Sequence, residues 1–373
     1  MAAGAAGCLQ SVRSSVDAHY SRRCHVVVET ADRRQGFALF GGFRARHRFE
    51  ALYVSGEHRT RTRFAIHRPL TADDCRRLVR RYGLVVFCGD TAPAELVSDV
   101  LTIPLSVDME VATPPAFEGP HAPWSRSAKA NISKVKRERF EFDLVDSLTS
   151  LRDFRERMLL PSMRSRYGAR ASLDSRRALA NYARAAGSEL LRVLQDGKWV
   201  AASLNESTPS AYLMRKMGWL NGDEALHRSG ITAAVYWFTF QRAAALGHRR
   251  ILLGSVDPCL EDGIFRYKSY WGAKLCEDSR DFGTFGLLLD PSHPSCNRFL
   301  HTHSLITRGV DGRFIVFSGR TPDVAAVTPD VRSGIARWYV WRDQPLAVPE
   351  VTSDDVPGSL QPWVSMAGSA GPG

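Results

Sequence analysis

Two aspartates flank a proline in the second half of the chain, and their carboxylates suit proton transfer or the binding of a cation. Asp257 follows a short apolar run, 251–253, that predicts a buried strand, and Asp262 comes five residues later. A carboxylate at the end of a strand can accept a proton from an amine or bind its ammonium form. Asp262 can equally cap the helix predicted at 262–270, because aspartate is a preferred N-cap residue.

Arg164 and Arg166 form a second candidate site. Two residues apart, they would share one face of a strand or lie together in a loop, and paired guanidinium groups suit phosphate oxygens. A solvated surface patch is the alternative interpretation.

The charge of the whole chain points in the same direction. Lys and Arg number 50 and Asp and Glu number 39, which leaves a formal net charge of +11. Such a surplus attracts polyanions: nucleic acid, a phosphorylated cofactor or an anionic membrane surface. The cations cluster at 44–68, 125–139 and 152–170. A generally arginine-rich composition without a polyanionic partner is the alternative explanation.

Length and composition exclude several classes of protein. The chain has 373 residues, 44% hydrophobic and 24% charged, so two globular domains plus extensions are expected and wholesale disorder is not. No segment approaches the ~18 uninterrupted apolar residues of a membrane span. The first twenty residues lack the pattern of a secretory signal, so a cytoplasmic location is expected.

Cysteines and histidines give no metal or disulfide pattern. The seven cysteines are scattered without a CxxC pair, so neither a disulfide framework nor a zinc ribbon is predicted. His301 and His303 form an HxH pair that is interpreted as part of a polar loop, and no metal site is predicted.

The predicted elements that would position these residues indicate a mixed α/β fold in two tandem units with extensions. We expect a flexible N-terminus (1–20), a small α/β unit (21–123), a second unit (124–290), a β-containing extension (291–344) and a disordered, Pro- and Gly-rich tail (345–373). In the first unit, strands are predicted at 24–28, 37–40 and 84–87, a helix at 71–82 and a linker at 114–123.

The second unit has the clearest order of elements. A basic helix (127–138), a strand (140–145) and a helix (146–157) precede a three-stranded antiparallel meander (190–194, 199–204, 211–217) with Asp196-Gly197 as its first turn. A loop (218–229), a long apolar helix (230–246) and the strand 251–253 follow. A short helix (262–270) and strands at 273–276 and 284–289 complete the unit, and strands are also predicted at 314–317 and 338–341.

Residues 252–275 resemble the signature of the Fem-type branch of the GNAT acyltransferase superfamily. They read Leu-Leu-Gly-Ser-Val-Asp-Pro-Cys-Leu-Glu-Asp-Gly-Ile-Phe-Arg-Tyr-Lys-Ser-Tyr-Trp-Gly-Ala-Lys-Leu. In that branch a strand, a proline-containing loop and a helix with Gly-hydrophobic-x-x-aromatic-Lys-x-x-Trp-Gly end the catalytic domain. The basic helix and Arg164-x-Arg-Tyr-Gly168 are similar to the entry of that domain. The resemblance spans about 124–289 and implies that 21–123 is a degenerate first GNAT-like domain.

The resemblance also implies where the chemistry occurs. In the GNAT fold the sheet splays open between the strand before the long helix and the strand after it. The unpaired N–H and C=O groups that face this gap can bind an acyl donor and hold an amine beside it.

Further site residues follow from the resemblance. Lys268 would lie by the reacting carbonyl, where its ammonium stabilises the oxyanion, and a solvated lysine is the alternative. Tyr267 would stack on the terminal adenosine of the donor or belong to the core. Tyr212 and Arg215 are three apart on the strand bordering the gap, so only one faces the site unless a bulge intervenes. Arg215 is preferred, as a contact to a substrate anion or to tRNA.

The donor is predicted from a loop that departs from the family pattern. Acetyl-CoA-dependent members carry an R/Q-x-x-G-x-G/A pyrophosphate loop before the long helix. Arg228-Ser-Gly-Ile-Thr232 supplies the Arg and one Gly but lacks the second Gly, so fewer N–H groups could cradle a pyrophosphate. The long coiled-coil arm of some wall-bridge enzymes is also missing.

The preferred prediction is therefore an aminoacyltransferase without a bound cofactor. It would move an amino acid from aminoacyl-tRNA, its co-substrate, to a small-molecule or peptide amine acceptor. An acyl-CoA-dependent N-acyltransferase and a non-catalytic GNAT-like binding module remain as alternatives.

Overall fold

The structure is a computed structural model, and it describes residues 24–30, 36–40, 49, 58–64, 71–88, 92–114, 124–168, 174–280, 283–319, 331 and 334–367. The predicted flexible N-terminus and most of the predicted linker at 114–123 lie outside these residues. Within the described ranges no helix combines the length and the apolar character that crossing a membrane requires.

Helices and strands alternate through most of the chain. The helices are α1 (Ala72–Tyr82), α2 (Arg126–Arg137), α3 (Leu151–Asp153, Phe154–Leu159 and Leu160–Tyr167, consecutive), α4 (Arg176–Arg184), α5 (Glu224–Ser229), α6 (Ile231–Ala245), α7 (Gly263–Tyr270) and α8 (Pro294–Thr302). The strands are β1 (Cys24–Thr30), β2 (Gly36–Phe40), β3 (His58–Phe64), β4 (Leu84–Cys88), β5 (Val100–Pro104), β6 (Val107–Ala112), β7 (Glu141–Val145), β8 (Ser188–Gln195), β9 (Lys198–Ser207), β10 (Tyr212–Trp219), β11 (Arg250–Val256), β12 (Lys274–Leu275), β13 (Thr284–Leu289), β14 (Leu305–Arg308), β15 (Phe314–Ser318), β16 (Ile335–Trp341) and β17 (Val364–Met366).

The strands form three sheets, which confirms the expected mixed α/β class. The first sheet has the order β3-β1-β2-β4-β13-β5, the second β12-β6-β11-β10-β9-β8-β7 and the third β14-β15-β16-β17. The antiparallel run β7 to β10, followed by α6, the parallel strand β11 and α7, is the order that the GNAT resemblance implies.

The first two sheets exchange strands across the domain boundaries predicted at 123 and 290. β6 precedes residue 123 but pairs with β11 and β12 in the second sheet. β13 belongs to the second segment of the sequence but pairs with β4 and β5 in the first sheet. Strand pairing is non-local, so the local pattern of each strand could not reveal which sheet it joins.

The long helix α6 is buried on nearly every side, as its apolar sequence predicts. Trp124 lies against it, with its ring 5.8 Å from the ring of Phe240 and 5.9 Å from that of Trp237. The next residue, Ser125, caps α2 and donates a hydrogen bond of 2.6 Å to the carbonyl of Tyr270, the last residue of α7. These contacts hold the start of α2 and the end of α7 together beside α6.

The helix predicted at 146–157 begins and ends later than expected. α3 starts at Leu151, continues through a π-helical segment at Phe154–Leu159 and ends at Tyr167. Arg164 and Arg166 therefore lie on a helix, not on a strand or in a loop, which corrects that expectation. Pro161 lies in the first turn of its segment, where proline is tolerated, so it does not end the helix. β10 approaches this helix closely, since a Cβ at Gly218 would lie 2.7 Å from the Leu159 backbone.

Two further expectations about local structure need correction. The predicted loop 218–229 contains α5, which Asp223 caps by accepting hydrogen bonds from the backbone of Ala225 and Leu226. The predicted disordered tail is ordered as far as residue 367, because four of its apolar side chains pack into the core: Val351, Val356, Leu360 and Val364. Proline and glycine limit regular structure in this segment without preventing burial, and residues 368–373 lie outside the described ranges.

Candidate active site

The two central strands of the second sheet diverge, as the resemblance implies. β10 and β11 pair only at Tyr212 with Ile251 and at Leu213 with Leu252. Beyond these pairs β10 continues along β9 as far as Trp219, and β11 continues along β6 as far as Val256. Each strand changes register where the two part, so bulges turn the strands away from each other. A gap therefore opens between their carboxyl ends.

A cleft with a volume of about 170 Å³ lies at this gap. Its walls come from α3, from residues 214–217 of β10, from α6 and β11, and from α7. The apolar part of the lining is Leu159, Leu160, Met163, Met214, Met217, Tyr236, Leu253 and Ile264. The polar part is Arg166, Asp174, Arg215, Lys216 and Lys268. The cleft is thus apolar with a cationic excess.

Lys268 lies on the wall of the cleft and is almost fully buried, with 3% of its surface exposed. Its Nζ donates hydrogen bonds to the carbonyl oxygens of Gly254 (2.8 Å) and Ser255 (3.2 Å), at the bulge of β11. Gly254 has a φ of +76°, a conformation that favours glycine. An ammonium group has three N–H donors, so one of them is available to a bound molecule.

The charge of Lys268 is finely balanced. Burial lowers its pKa to about 7, although the nearby carboxylates of Asp108, Asp262 and Asp257 favour the charged form and Arg166 opposes it. A new negative charge beside Nζ would therefore shift the balance toward the ammonium.

The two predicted aspartates have different surroundings. Asp262 is the N-cap of α7 and accepts a hydrogen bond of 2.7 Å from the backbone of Phe265, and burial raises its pKa. The capping interpretation therefore describes its position. Asp257 follows β11 directly, is half-buried and adds to the negative potential at Lys268, although neither aspartate is among the residues that line the cleft. Of the two, Asp257 carries the carboxylate that is not a helix cap.

Tyr212 and Tyr267 are core residues. Tyr212 is fully buried and donates a hydrogen bond to Glu189, which also pairs with Arg242. The ring of Tyr267 lies 5.3 Å from that of Tyr236, and burial raises its pKa. Neither side chain is among those that line the cleft, so the core alternative describes their placement.

Arg215 lines the cleft together with Met214, Lys216 and Met217, because β10 bulges there and strict alternation fails. Its guanidinium is already paired. It lies 2.7 Å from Glu206 and over the ring of Tyr182. The neighbouring Lys216 forms an ion pair of 2.5 Å with Asp174 on the same wall. The sequence does not reveal the pair with Asp174, which is far from Lys216 along the chain, whereas Glu206 lies on the neighbouring strand of the predicted meander.

Of the three remaining arginines, one lines the cleft and two do not. Arg166 lines it, with the guanidinium 5.9 Å from the ring of Trp219. Arg164 is exposed on the last turn of α3 and does not line the cleft. Arg228 lies on α5, outside the cleft, with 71% of its side chain exposed and Glu224 at 3.8 Å.

Sequence reasoning did not identify Asp108 of β6. Asp108 is 5% exposed, forms two hydrogen bonds of 3.0 Å with Arg280 and contributes to the potential at Lys268. The alternating pattern around Asp108 is compatible with a strand. It does not show that this strand, β6, joins the second sheet and lies beside β11.

No group of three or more described His, Cys, Asp and Glu side chains has a metal-binding arrangement. A pyrophosphate would also find little access at the start of α6. Ile231, Thr232 and Ala233 are buried, and α5 packs directly before them, joined through Gly230.

No protein-family model matches the chain, and neither does any curated protein. Solved structures with a similar fold include FemX, at 10% identity over 71% of this chain and 84% of that one, with a TM-score of 0.39. Another is the C-terminal domain of a putative lysylphosphatidylglycerol synthetase from Agrobacterium fabrum, at 11% identity over 74% and 88%, with a TM-score of 0.36. A GCN5-related N-acetyltransferase from Kribbella flavida has 14% identity over 56% and 68%, with a TM-score of 0.24. At these identities the similarity extends to the fold alone.

Proposed function

We propose that the protein is an aminoacyltransferase that moves an amino acid from aminoacyl-tRNA to an amine acceptor in the cleft between β10 and β11. The observation that carries the proposal is the buried Lys268 ammonium beside the gap where the two strands part. An ester carbonyl bound there would present its oxygen to the remaining N–H of Nζ.

The reaction needs positioning and charge stabilisation rather than a covalent enzyme intermediate. The amine nitrogen attacks the ester carbonyl carbon, a C–N bond forms, and the C–O bond to the ribose breaks. Lys268 stabilises the negative charge that develops on the carbonyl oxygen. Asp257 accepts the proton that the amine loses, and that proton ends on the ribose hydroxyl that leaves.

Surface charge and the start of α6 favour aminoacyl-tRNA over acyl-CoA as the donor. The chain has a net charge of +11, and Arg166 and Arg215 line the cleft. The N-terminal turn of α6, where the resemblance places the pyrophosphate loop, is buried, and α5 directly precedes it. Acyl-CoA would need that turn to be accessible.

The donor is tested by incubating the protein with radiolabelled aminoacyl-tRNA or acetyl-CoA and a protein-free cell filtrate that supplies amines. We expect labelled amide product from aminoacyl-tRNA, and we expect RNase treatment of the donor beforehand to abolish it. Product that survives RNase and requires acetyl-CoA would contradict the tRNA donor and support the acyl-CoA alternative. No product from either donor would support the non-catalytic binding module.

A further inference from the structure

Three helix ends bring cations to the edge of the sheet where β10 and β11 part. α2 starts beside the end of α7, through Ser125 and Tyr270, and the side chain of Lys134 lies against Gly230 at the start of α6. α6 starts shortly after β10 ends, so the last turn of α2 reaches the open edge of the sheet.

The ends of α3 and α5 reach the same edge. A Cβ at Gly222, just after β10, would lie 2.6 Å from the carbonyl oxygen of Pro161 and 3.1 Å from Ser165, so the final turns of α3 pack there. α5 connects this turn directly to α6. The ends of these three helices therefore lie at the same edge of the sheet as the cleft, and α3 also lines it.

The three segments carry a strong cationic excess. Their cations at this edge are Lys134, Lys136, Arg137, Arg139, Arg164, Arg166 and Arg228, and the described acidic residues beside them are Glu138, Asp223 and Glu224. Two of these acids pair locally: Glu138 contacts Arg137 at 3.3 Å and Glu224 contacts Arg228 at 3.8 Å. Asp223 accepts hydrogen bonds from the backbone of α5. Positive potential therefore remains around the mouth.

We propose that this cationic rim, residues 134–139, 164–166 and 228, binds the phosphodiester backbone of RNA next to the acyl end that enters the cleft. The inference rests on the proposed function, since it names the surface that would hold the donor. Cations spread over three segments suit an extended backbone, whereas a single pyrophosphate would occupy only one of them.

The packing of α2 favours RNA over an anionic membrane. A helix that binds a membrane surface inserts its apolar face. The apolar side chains Ala128, Ile132 and Val135 of α2 are buried in the protein instead. Among the described residues, none of the exposed large hydrophobic side chains lies on the three rim segments.

The rim is tested by filter binding of uncharged tRNA at a series of salt concentrations. Lys134→Gln combined with Lys136→Gln removes two cations from the last turn of α2. The matched control combines Arg80→Gln with Arg81→Gln, which removes two cations from the last turn of α1. Because both pairs end a helix, both variants lose similar interactions with the helix dipole, and a thermal melt checks their folding.

We expect the rim variant to bind tRNA roughly 10-fold more weakly and its salt slope to decrease by about 1.4–1.8, or about 0.7–0.9 per lost phosphate contact. The control should stay within about twofold of wild type by the same reasoning. Equal affinity and slope in wild type and rim variant would overturn the inference. So would binding to vesicles containing anionic phospholipid without binding to tRNA.

Failure of the proposed function gives a different result. Lys268→Met should bind tRNA as wild type does, because it leaves the rim intact. If tRNA binding depends on the rim while wild type forms no amide from any charged tRNA, the rim is supported and the transferase proposal is not.

Discussion

Lys268 combines two properties that conflict: it is buried, and the proposed reaction requires it to carry charge. The unfolded lysine holds its proton up to its ordinary pKa of 10.5, whereas the folded one releases it near 7. Between these values the unfolded state binds more protons, so the free energy of unfolding must rise with pH. Burial of Lys268 therefore lowers the free energy of unfolding near neutral pH.

This conflict gives a prediction for Lys268→Met. Relative to the variant, wild type should gain about 1 kcal/mol of unfolding free energy per pH unit between pH 7 and 9, since one pKa unit corresponds to about 1.4 kcal/mol. The gain is measured by denaturant unfolding of both proteins at each pH. Lys274→Met, which removes an exposed lysine six residues away, serves as the control and should parallel wild type.

A difference between wild type and Lys268→Met that stays constant from pH 7 to 9 would contradict the lowered pKa. It would mean that Lys268 keeps its proton in the folded state.

At the scale of elements, the loop from Asp257 to Asp262 connects the bulged strand β11 to the helix that carries Lys268. The third sheet holds this loop. Leu260 donates a backbone hydrogen bond to Ser304, and Ile306 donates one to Pro258. The Glu261 carboxylate accepts hydrogen bonds from the Ser304 backbone (2.8 Å), the Ser304 hydroxyl (2.6 Å) and the Cys259 thiol (2.9 Å). The C-terminal extension is therefore attached to the loop that precedes the Lys268 helix.

Glu261→Gln should loosen this attachment. Burial alone would raise the pKa of Glu261, but the hydrogen bonds from Cys259 and Ser304 outweigh it and hold the pKa below its ordinary value. An amide cannot accept all three bonds, so we expect a loss of about 1–3 kcal/mol of unfolding free energy. Because α7 follows the loop, kcat for transfer should fall about 10-fold while KM stays constant. Denaturant unfolding and steady-state kinetics measure the two effects.

The sign of the pH dependence provides a second check. A lowered carboxyl pKa stabilises the fold above the ordinary value of 4.5, and this stabilisation disappears as the pH falls through the folded pKa. The advantage of wild type over Glu261→Gln should therefore shrink in acid. Glu95→Gln, an exposed glutamate in a short 3₁₀ helix, should match wild type throughout. Unchanged stability and kcat in Glu261→Gln would show that the loop does not depend on the third sheet.

At the scale of the whole molecule, the sequence predicts elements better than it predicts their partners. The meander, the long buried helix and the strand after it follow from local periodicity, and they confirm the expected order. The exchange of β6 and β13 between sheets does not follow from local periodicity, because strands of similar composition can pair in either sheet. Asp108 therefore reaches the surroundings of Lys268 through pairing that no local pattern encodes.

The candidate site was also predictable from the sequence only in part. Arg215 lies on a strand that the sequence predicts, Asp257 follows the next predicted strand, and Lys268 lies on the predicted helix after it. Part of the apolar wall of the cleft comes from α3, whose π-helical segment and extension past Pro161 depend on packing against β10 at Gly218. Tyr212 and Tyr267 have residue types that suit a site, but three-dimensional packing buries them. Burial of an aromatic side chain depends on the neighbours that the fold supplies.

The central claim is that transfer takes place beside the Lys268 ammonium, in the gap between the diverging strands. The most direct test compares the single-turnover rate of amide formation from aminoacyl-tRNA by wild type, Lys268→Met and Lys274→Met. We predict that Lys268→Met slows the step by about 10²–10³-fold, as expected for the loss of an oxyanion donor. Lys274→Met should react at the wild-type rate. A rate for Lys268→Met equal to that of wild type would contradict the claim.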